Sequence, residues 1–222
     1  MKVKSDLWYE RTPERKLNDI ILPDSIRLQI KQLIKEQHQS AKLHEYNLRA
    51  SSMVIISGET GNGKTLLAEA IAYELMYPII KIRYDKLIGC NAGETFSRFC
   101  KVLDYAKTEY FVMVIDAFEI FGKNLEYRSA FLSIIDEVPD SVIIIAENSH
   151  GCQIPKDVSR RFNLSLYLPE PTQEQKIEYI ASIGRRCGVD FSSVPMEILD
   201  GNSFAEIERR CLEIVKEMVL SI

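Results

Sequence analysis

The segment Gly58-Glu59-Thr60-Gly61-Asn62-Gly63-Lys64-Thr65 fits the phosphate-loop pattern G-x-x-x-x-G-K-[ST] at every fixed position. The pattern is demanding in its context, because a strand must lead into the loop and a helix must leave it. Both are legible. Met53 to Ser57 is an apolar, β-prone run before the loop, and Leu66, Leu67, Ala70, Ile71 and Leu75 follow at helical spacing. In such a loop the glycines let backbone N–H groups turn inward around a β-phosphate. Lys64 brings charge to the β and γ oxygens, and Thr65 offers its hydroxyl to Mg2+. Residues 58–64 are thereby the candidate phosphate contacts, Thr65 the candidate metal ligand, and Leu66 the residue that leaves the loop beside them.

A phosphate loop needs a carboxylate at the tip of a neighbouring strand to hold the cation through water. Phe111-Val112-Met113-Val114-Ile115-Asp116 supplies an apolar run that ends in an acid. Further β-branched runs, at Ile79 to Arg83, Val142 to Ala146 and Leu164 to Leu168, alternate with helical patterns at Lys64 to Met76, Glu94 to Ala106 and Leu125 to Asp136. Alternation at this spacing predicts a parallel sheet covered by helices on both faces. After Pro169-Glu170-Pro171 the pattern becomes helical only, at Gln173 to Cys187 and Ala205 to Leu220, which puts a domain boundary at the proline pair. Ahead of the core, Asp24-Ser25 opens an amphipathic helix bearing Ile26, Ile30, Leu33 and Ile34, which reads as a docking segment. The stretch before it reads as irregular until Ile20-Ile21-Leu22.

Composition narrows the function classes. With 222 residues and 46% hydrophobic side chains the chain can bury a sizeable core, and 28 basic against 32 acidic residues leave a net charge of −4. No global field draws it to nucleic acid or anionic lipid, and no basic helix or aromatic-interleaved basic stripe is present. The small cluster Arg185-Arg186 with Arg209-Arg210 is the one basic patch worth testing. Five widely spaced cysteines without a C-x-x-C pair read as reduced packing residues. No run is long enough to span a bilayer, and the N-terminus lacks a secretory apolar core, which points to the cytoplasm.

The order of motifs resembles the AAA branch of the AAA+ ATPases from about Leu17 to Met218. Leu17-Asn18-Asp19-Ile20-Ile21-Leu22-Pro23 is similar to the family's approach segment, which implies that Ile20 and Ile21 line the adenine pocket. Gly93-Glu94-Thr95 resembles the G-E-[ST] that follows the first pore loop. Ala146-Glu147-Asn148 stands where relatives carry Ala-Thr-Asn, making Asn148 the polar sensor that orients water against the γ-phosphate. Arg160-Arg161-Phe162 resembles the R-R-F whose arginines reach a neighbouring subunit's nucleotide, and Asp200 to Glu208 resembles the lid stretch. The resemblance implies a five-stranded parallel P-loop core at 24–169, an arm at 1–23 and a helical lid at 170–222. It also implies ATP and Mg2+ as cofactors, a homo-oligomeric ring such as a hexamer, and a protein partner.

Two departures matter. Asp116 is followed by Ala117 where active relatives carry the glutamate that polarises the attacking water, and a methyl group accepts no proton. Glu119 looks like the family's second acid and not a transplanted base. Asn91 stands where a pore aromatic is expected and would grip an unfolded polypeptide poorly, with Tyr84 read as a strand-end core residue. Glu59 occupies the usual proline position and is expected to face solvent, and His150 reads as a surface-loop residue. Trp8 beside Tyr9 either docks a partner or anchors the arm. The expected function is an oligomeric ATPase that couples nucleotide state to remodelling of a partner. The alternative is an ATP-dependent switch that hydrolyses little.

Overall fold

The computed structural model describes residues 5–106, 109–191 and 199–220, with the side chains of residues 84 and 122 left aside. Its contacts divide the chain into two units. The first runs from the N-terminus to Ser57 and from Thr65 to Tyr167. The second joins Gly58–Lys64 to Leu168–Ile222.

The first unit is an α/β layer structure on a mostly parallel six-stranded sheet, with strand order β1-β3-β4-β5-β2-β6. Four of these strands follow the apolar runs closely: β2 (Met53–Gly58), β3 (Ile79–Ile82), β4 (Phe111–Ile115) and β6 (Leu164–Leu168). β5 (Val142–Ser149) runs three residues past its apolar stretch, so Glu147 and Asn148 lie inside the strand. β3 with β4 and β4 with β5 pair in parallel, and β4 is buried along its whole length. Strands buried on both faces read as unbroken apolar runs, which is why they were visible in sequence.

The sixth strand is a correction to the expected five-stranded sheet. β1 (Trp8–Arg11) adds antiparallel to β3, with Trp8 opposite Ile82 and Arg11 opposite Ile79. Four residues, two of them charged, carry too little pattern to register as a strand, and it is the pairing partner that makes them one. The open question about Trp8 is answered by its packing: it is 7% exposed and stacks on Tyr105 at 4.9 Å between ring centroids. The Tyr105 hydroxyl donates to the Glu10 carboxylate, and this bond pushes the phenol up to about 12. Arg11 and the Glu14 amide both donate to Glu69, and the Leu17 amide donates to Glu74. The stretch from Trp8 to Leu17 is thus anchored on β3 and along α3 (Lys64–Leu75), and within it β1 is a regular strand where an irregular stretch was expected.

α1 (Asp24–His38) is likewise more than a docking segment, because Ile30 is fully buried and Leu33 is 2% exposed. Ile26, Ile30, Leu33 and Gln37 recur at three- and four-residue steps, giving one buried face. Gln37 donates to the Ser51 carbonyl and the Ser51 amide to Glu36, which ties the end of α1 to the start of β2. α2 (Ser40–Glu45) is a short continuation. α3 is apolar nearly all round and buried accordingly, and it ends at Met76 in the left-handed region. Tyr84 opens α4 (Tyr84–Leu87) and does not end a strand; its side chain lies outside the described residues. α5 (Ala92–Ala106) and α7 (Leu125–Ile135) flank the short α6 (Glu119–Lys123), and α8 (Lys156–Ser159) precedes β6. Asn124 caps α7 by accepting from Glu126 and Tyr127 amides.

The second unit holds α9 (Gln173–Cys187) and α10 (Phe204–Leu220). α9 starts with a Thr172–Gln175 capping box and stops at Gly188, where φ is 70°. Ile183, Ile207 and Cys211 form its small core.

Trp8→Ala should lower the unfolding free energy by about 3 kcal/mol, the scale for emptying a buried aromatic site. Urea unfolding followed by circular dichroism measures it, and a change under about 0.5 kcal/mol, the size of an ordinary surface substitution, would show that β1 is not part of the cooperative fold.

Candidate functional site

β2 ends at Gly58 and α3 begins at Lys64, so the loop between them is five residues long with its conformation set by glycine. Gly61 has φ +90° and Gly63 +88°, a region in which side chains other than glycine are strained. Within the second unit the loop is held by later parts of the chain. The Ala205 amide donates to the Gly61 carbonyl at 3.1 Å, and Asn62 Nδ2 donates to the Pro169 carbonyl at 3.2 Å. A Cβ on Gly61 would lie 2.8 Å from Ser203 Oγ, whereas one on Gly63 would meet nothing within 4 Å. One glycine is required by packing and the other faces open space.

These features fit a bound polyphosphate. Gly63 leaves room against the backbone, and the first turn of α3 presents N–H groups without intrahelical partners. Lys64 Nζ donates to the carbonyls of Gly58 at 2.8 Å and Glu59 at 3.0 Å, so the ammonium is folded over the loop it would share with phosphate. Glu59, Thr60 and Leu66 are exposed, Glu59 as expected.

In the first unit the remaining candidates lie at the carboxyl ends of β4 and β5. Asp116 Oδ1 accepts from the Ala117 amide at 2.8 Å, and Asp116 Oδ2 is 3.2 Å from Lys81 Nζ on β3. Sequence reasoning missed Lys81, whose role depends on the β3–β4 pairing. Ala117 itself adopts φ 51°, an unusual value for a residue with a Cβ. Glu119 accepts from the Ser149 hydroxyl at 3.0 Å. Asn148 is 4% exposed; its Nδ2 donates to the Cys152 carbonyl, and its Oδ1 has no hydrogen-bond partner among the described residues. An orphaned buried acceptor suits a residue that takes a hydrogen from a bound water. Thr65 Oγ1 donates to Glu147 Oε2 at 2.7 Å, a contact that the sequence pattern did not announce.

Arg160 is exposed and makes no ion pair among the described residues, whereas Arg161 pairs with Asp136. Only one of the two arginines is left uncommitted. Ile20 and Ile21 are half-buried, and Arg27 donates to the Leu17 and Ile20 carbonyls, which fixes the approach segment. His150 is exposed, its ring 5.5 Å from that of Tyr167. Three of the four arginines of the second unit's basic patch are paired: Arg186 with Glu208, Arg209 with Glu213 and Arg210 with Glu206.

Asn91 has a structural use. Its Oδ1 accepts from the Glu94 amide at 2.9 Å, and Glu94 Oε2 accepts from the Cys90 amide at 2.7 Å. This reciprocal cap starts α5 two residues earlier than its apolar pattern suggested. The Cys90 N–H, with Arg98 nearby, holds the Glu94 carboxyl below its ordinary range.

A phosphate loop between a strand and a helix, in a chain whose β4 is followed by an acid and whose β5 carries a buried amide, defines a P-loop nucleotide-binding protein. The family model for the ATPase family associated with various cellular activities matches residues 54–170, more than half of the chain. The chain belongs to this AAA family, whose members bind ATP. It is 29% identical over 226 residues to the uncharacterized AAA family ATPase y4kL of Sinorhizobium fredii, covering 94% of this chain and 66% of that protein. Against the ATP-dependent zinc metalloprotease FtsH of Aquifex aeolicus identity is 23%, covering 81% of this chain and 31% of the relative. The chain thus spans less than two thirds of the length of either relative. The crystal structure of the FIGL-1 AAA domain in complex with ADP superposes with a TM-score of 0.76 at 18% identity, covering 98% of this chain and 78% of that one. It shares the fold.

Gly61→Ala and Gly63→Ala should both cost about 1–2 kcal/mol in backbone strain, the scale for a left-handed residue other than glycine. Gly61→Ala should cost more, through its collision with Ser203. Thermal unfolding compares the two, and equal shifts would show that the start of α10 gives way freely.

Proposed function

We propose that this chain is an ATP-gated switch: it binds ATP with Mg2+, assembles with further copies of itself and controls a protein partner, while hydrolysing slowly. The observation that carries this reading is Ala117. Its amide bonds Asp116, but its side chain has no group to take a proton from water. Loss of a positioned general base costs about 10²–10⁴-fold in rate. Binding does not depend on that residue. The loop residues 58–64 cradle phosphate, Thr65 and Asp116 are the oxygen donors for the cation, and Ile20 and Ile21 face adenine. When bound, Mg2+ neutralises charge on the β and γ oxygens.

The cap that Asn91 makes supports the same reading, because a loop spent on starting α5 carries no aromatic grip on an unfolded chain. Arg160 supports assembly: an exposed guanidinium with no ion pair among the described residues is available to a neighbouring copy's nucleotide. A ring, with six copies as the candidate number, would place it there.

The second reading is a hydrolysing remodeller, favoured by Asn148, whose Oδ1, with no hydrogen-bond partner among the described residues, can orient a water. Phosphate release measured alongside light scattering separates the two. Assembly with ATP and no turnover supports the switch, and turnover that Lys64→Ala abolishes supports the remodeller.

Lys64→Ala should abolish tight ATP binding in a fluorescent-nucleotide titration; undiminished affinity would remove the phosphate-loop assignment. Ala117→Glu should raise phosphate release in the ATP-bound assembly. Position 117 already holds a Cβ at positive φ, so the longer side chain adds little backbone strain. An unchanged rate would show that more than the base has been lost.

A further inference from the structure

Glu147 stands between the last apolar residue of β5 and the sensor Asn148, is 3% exposed, and is where the family pattern would put a threonine. A carboxylate is among the side chains least often buried in this way, and such burial is costly unless charge or hydrogen bonds compensate it. Glu147 Oε2 accepts the Thr65 hydroxyl at 2.7 Å, and Thr65 is the phosphate-loop residue whose oxygen goes to the cation. The Phe118 amide donates to the Glu147 carbonyl at 2.9 Å, so the turn after β4 is fastened to this same residue. Asp116, the expected cation-side acid, is half exposed and its Oδ2 is engaged by Lys81 at 3.2 Å.

The strand register relates the two acids. Ile115 pairs with Ala146, so Asp116, just past the end of β4, and Glu147, inside the parallel β5, stand at one level. Of the two, Glu147 is the one in contact with the threonine hydroxyl.

We propose that Glu147 is a cation-site carboxylate, binding Mg2+ directly or through one water beside Thr65, and that it strengthens metal–nucleotide binding in a site whose glutamate after Asp116 has become Ala117. The inference rests on the reading that the loop binds nucleotide with Mg2+. A threonine hydroxyl and two carboxylates form an all-oxygen set, and Mg2+ keeps several waters while taking one or two carboxylates with substrate phosphates. A carboxylate at this place retains charge for holding the cation without standing at the position of the missing base. The inference therefore concerns tight retention of the metal–nucleotide pair, in keeping with a switch that is read while loaded.

The test compares wild type with Glu147→Gln, which keeps shape and an acceptor for Thr65 but removes the charge. ADP affinity is measured in chelator and in Mg2+, and Mn2+ affinity of the ADP complex by electron paramagnetic resonance. Metal-free ADP affinity is expected to stay within about twofold, while Mn2+ affinity falls about 10–100-fold, the scale for losing a conserved group around a metal. Undiminished Mn2+ affinity would leave Glu147 a packing partner of Thr65 and overturn the proposal. A loss of ADP affinity equal with and without metal would do the same, since that is what a structural role predicts. Wild type carrying carbon-13 glutamate gives a measurement that needs no variant: a coupling between bound Mn2+ and labelled carbon, lost in Glu147→Thr, is expected, and its absence in wild type overturns the proposal. Wild-type protein that binds no ADP at all would instead remove the nucleotide reading itself.

Discussion

A loop that presents backbone N–H groups to an anion cannot also satisfy them internally, so its shape has to be enforced from outside. Here the enforcement comes from residues more than a hundred positions later. Pro169 accepts from Asn62, the Ala205 amide reaches the Gly61 carbonyl, and Ser203 closes against Gly61 so tightly that only glycine fits. The phosphate loop therefore belongs by its contacts with Leu168–Ile222, although it grows out of β2 in the sheet. The loop and the first turn of α10 share a hydrogen bond.

Charge is distributed under the same economy. Several arginines are committed: Arg11 to Glu69, Arg161 to Asp136, and three arginines of the second unit to acids on α10. Exposed pairs of this kind contribute little to stability, but they cancel local fields. Against that background an Arg160 with no ion pair among the described residues, an Asp116 that shares its carboxylate with Lys81 and a Glu147 bonded to Thr65 stand out as groups whose settings ask for a ligand or a neighbour.

Much of the fold was legible because its central strands are buried on both faces. β4 and most of β5 announce themselves as unbroken apolar runs, and α9 carries its own start in Thr172 and its stop in Gly188. β1 escaped because a four-residue edge strand with two charges becomes a strand only when β3 offers it hydrogen bonds. α1 reads as a docking segment in sequence because amphipathic spacing tells which face is apolar but not what covers it. Asn91 was read by what it lacks, an aromatic ring, when its oxygen was needed to cap α5.

By itself the sequence determined the phosphate loop, the acid after β4, the absence of a glutamate at position 117 and the sheet-building runs. Each depends on local residue order or on periodicity along one strand or helix, and that information is written in the chain. Only the tertiary structure decided which carboxylate meets Thr65, which arginine of the pair at 160–161 meets Asp136 and which cation holds Asp116. Those pairings join residues brought together by strand order β3-β4-β5-β2. Glu147 and Thr65 are 82 positions apart and touch because of this order. Contacts across neighbouring strands follow from sheet topology, and no short stretch of sequence carries that.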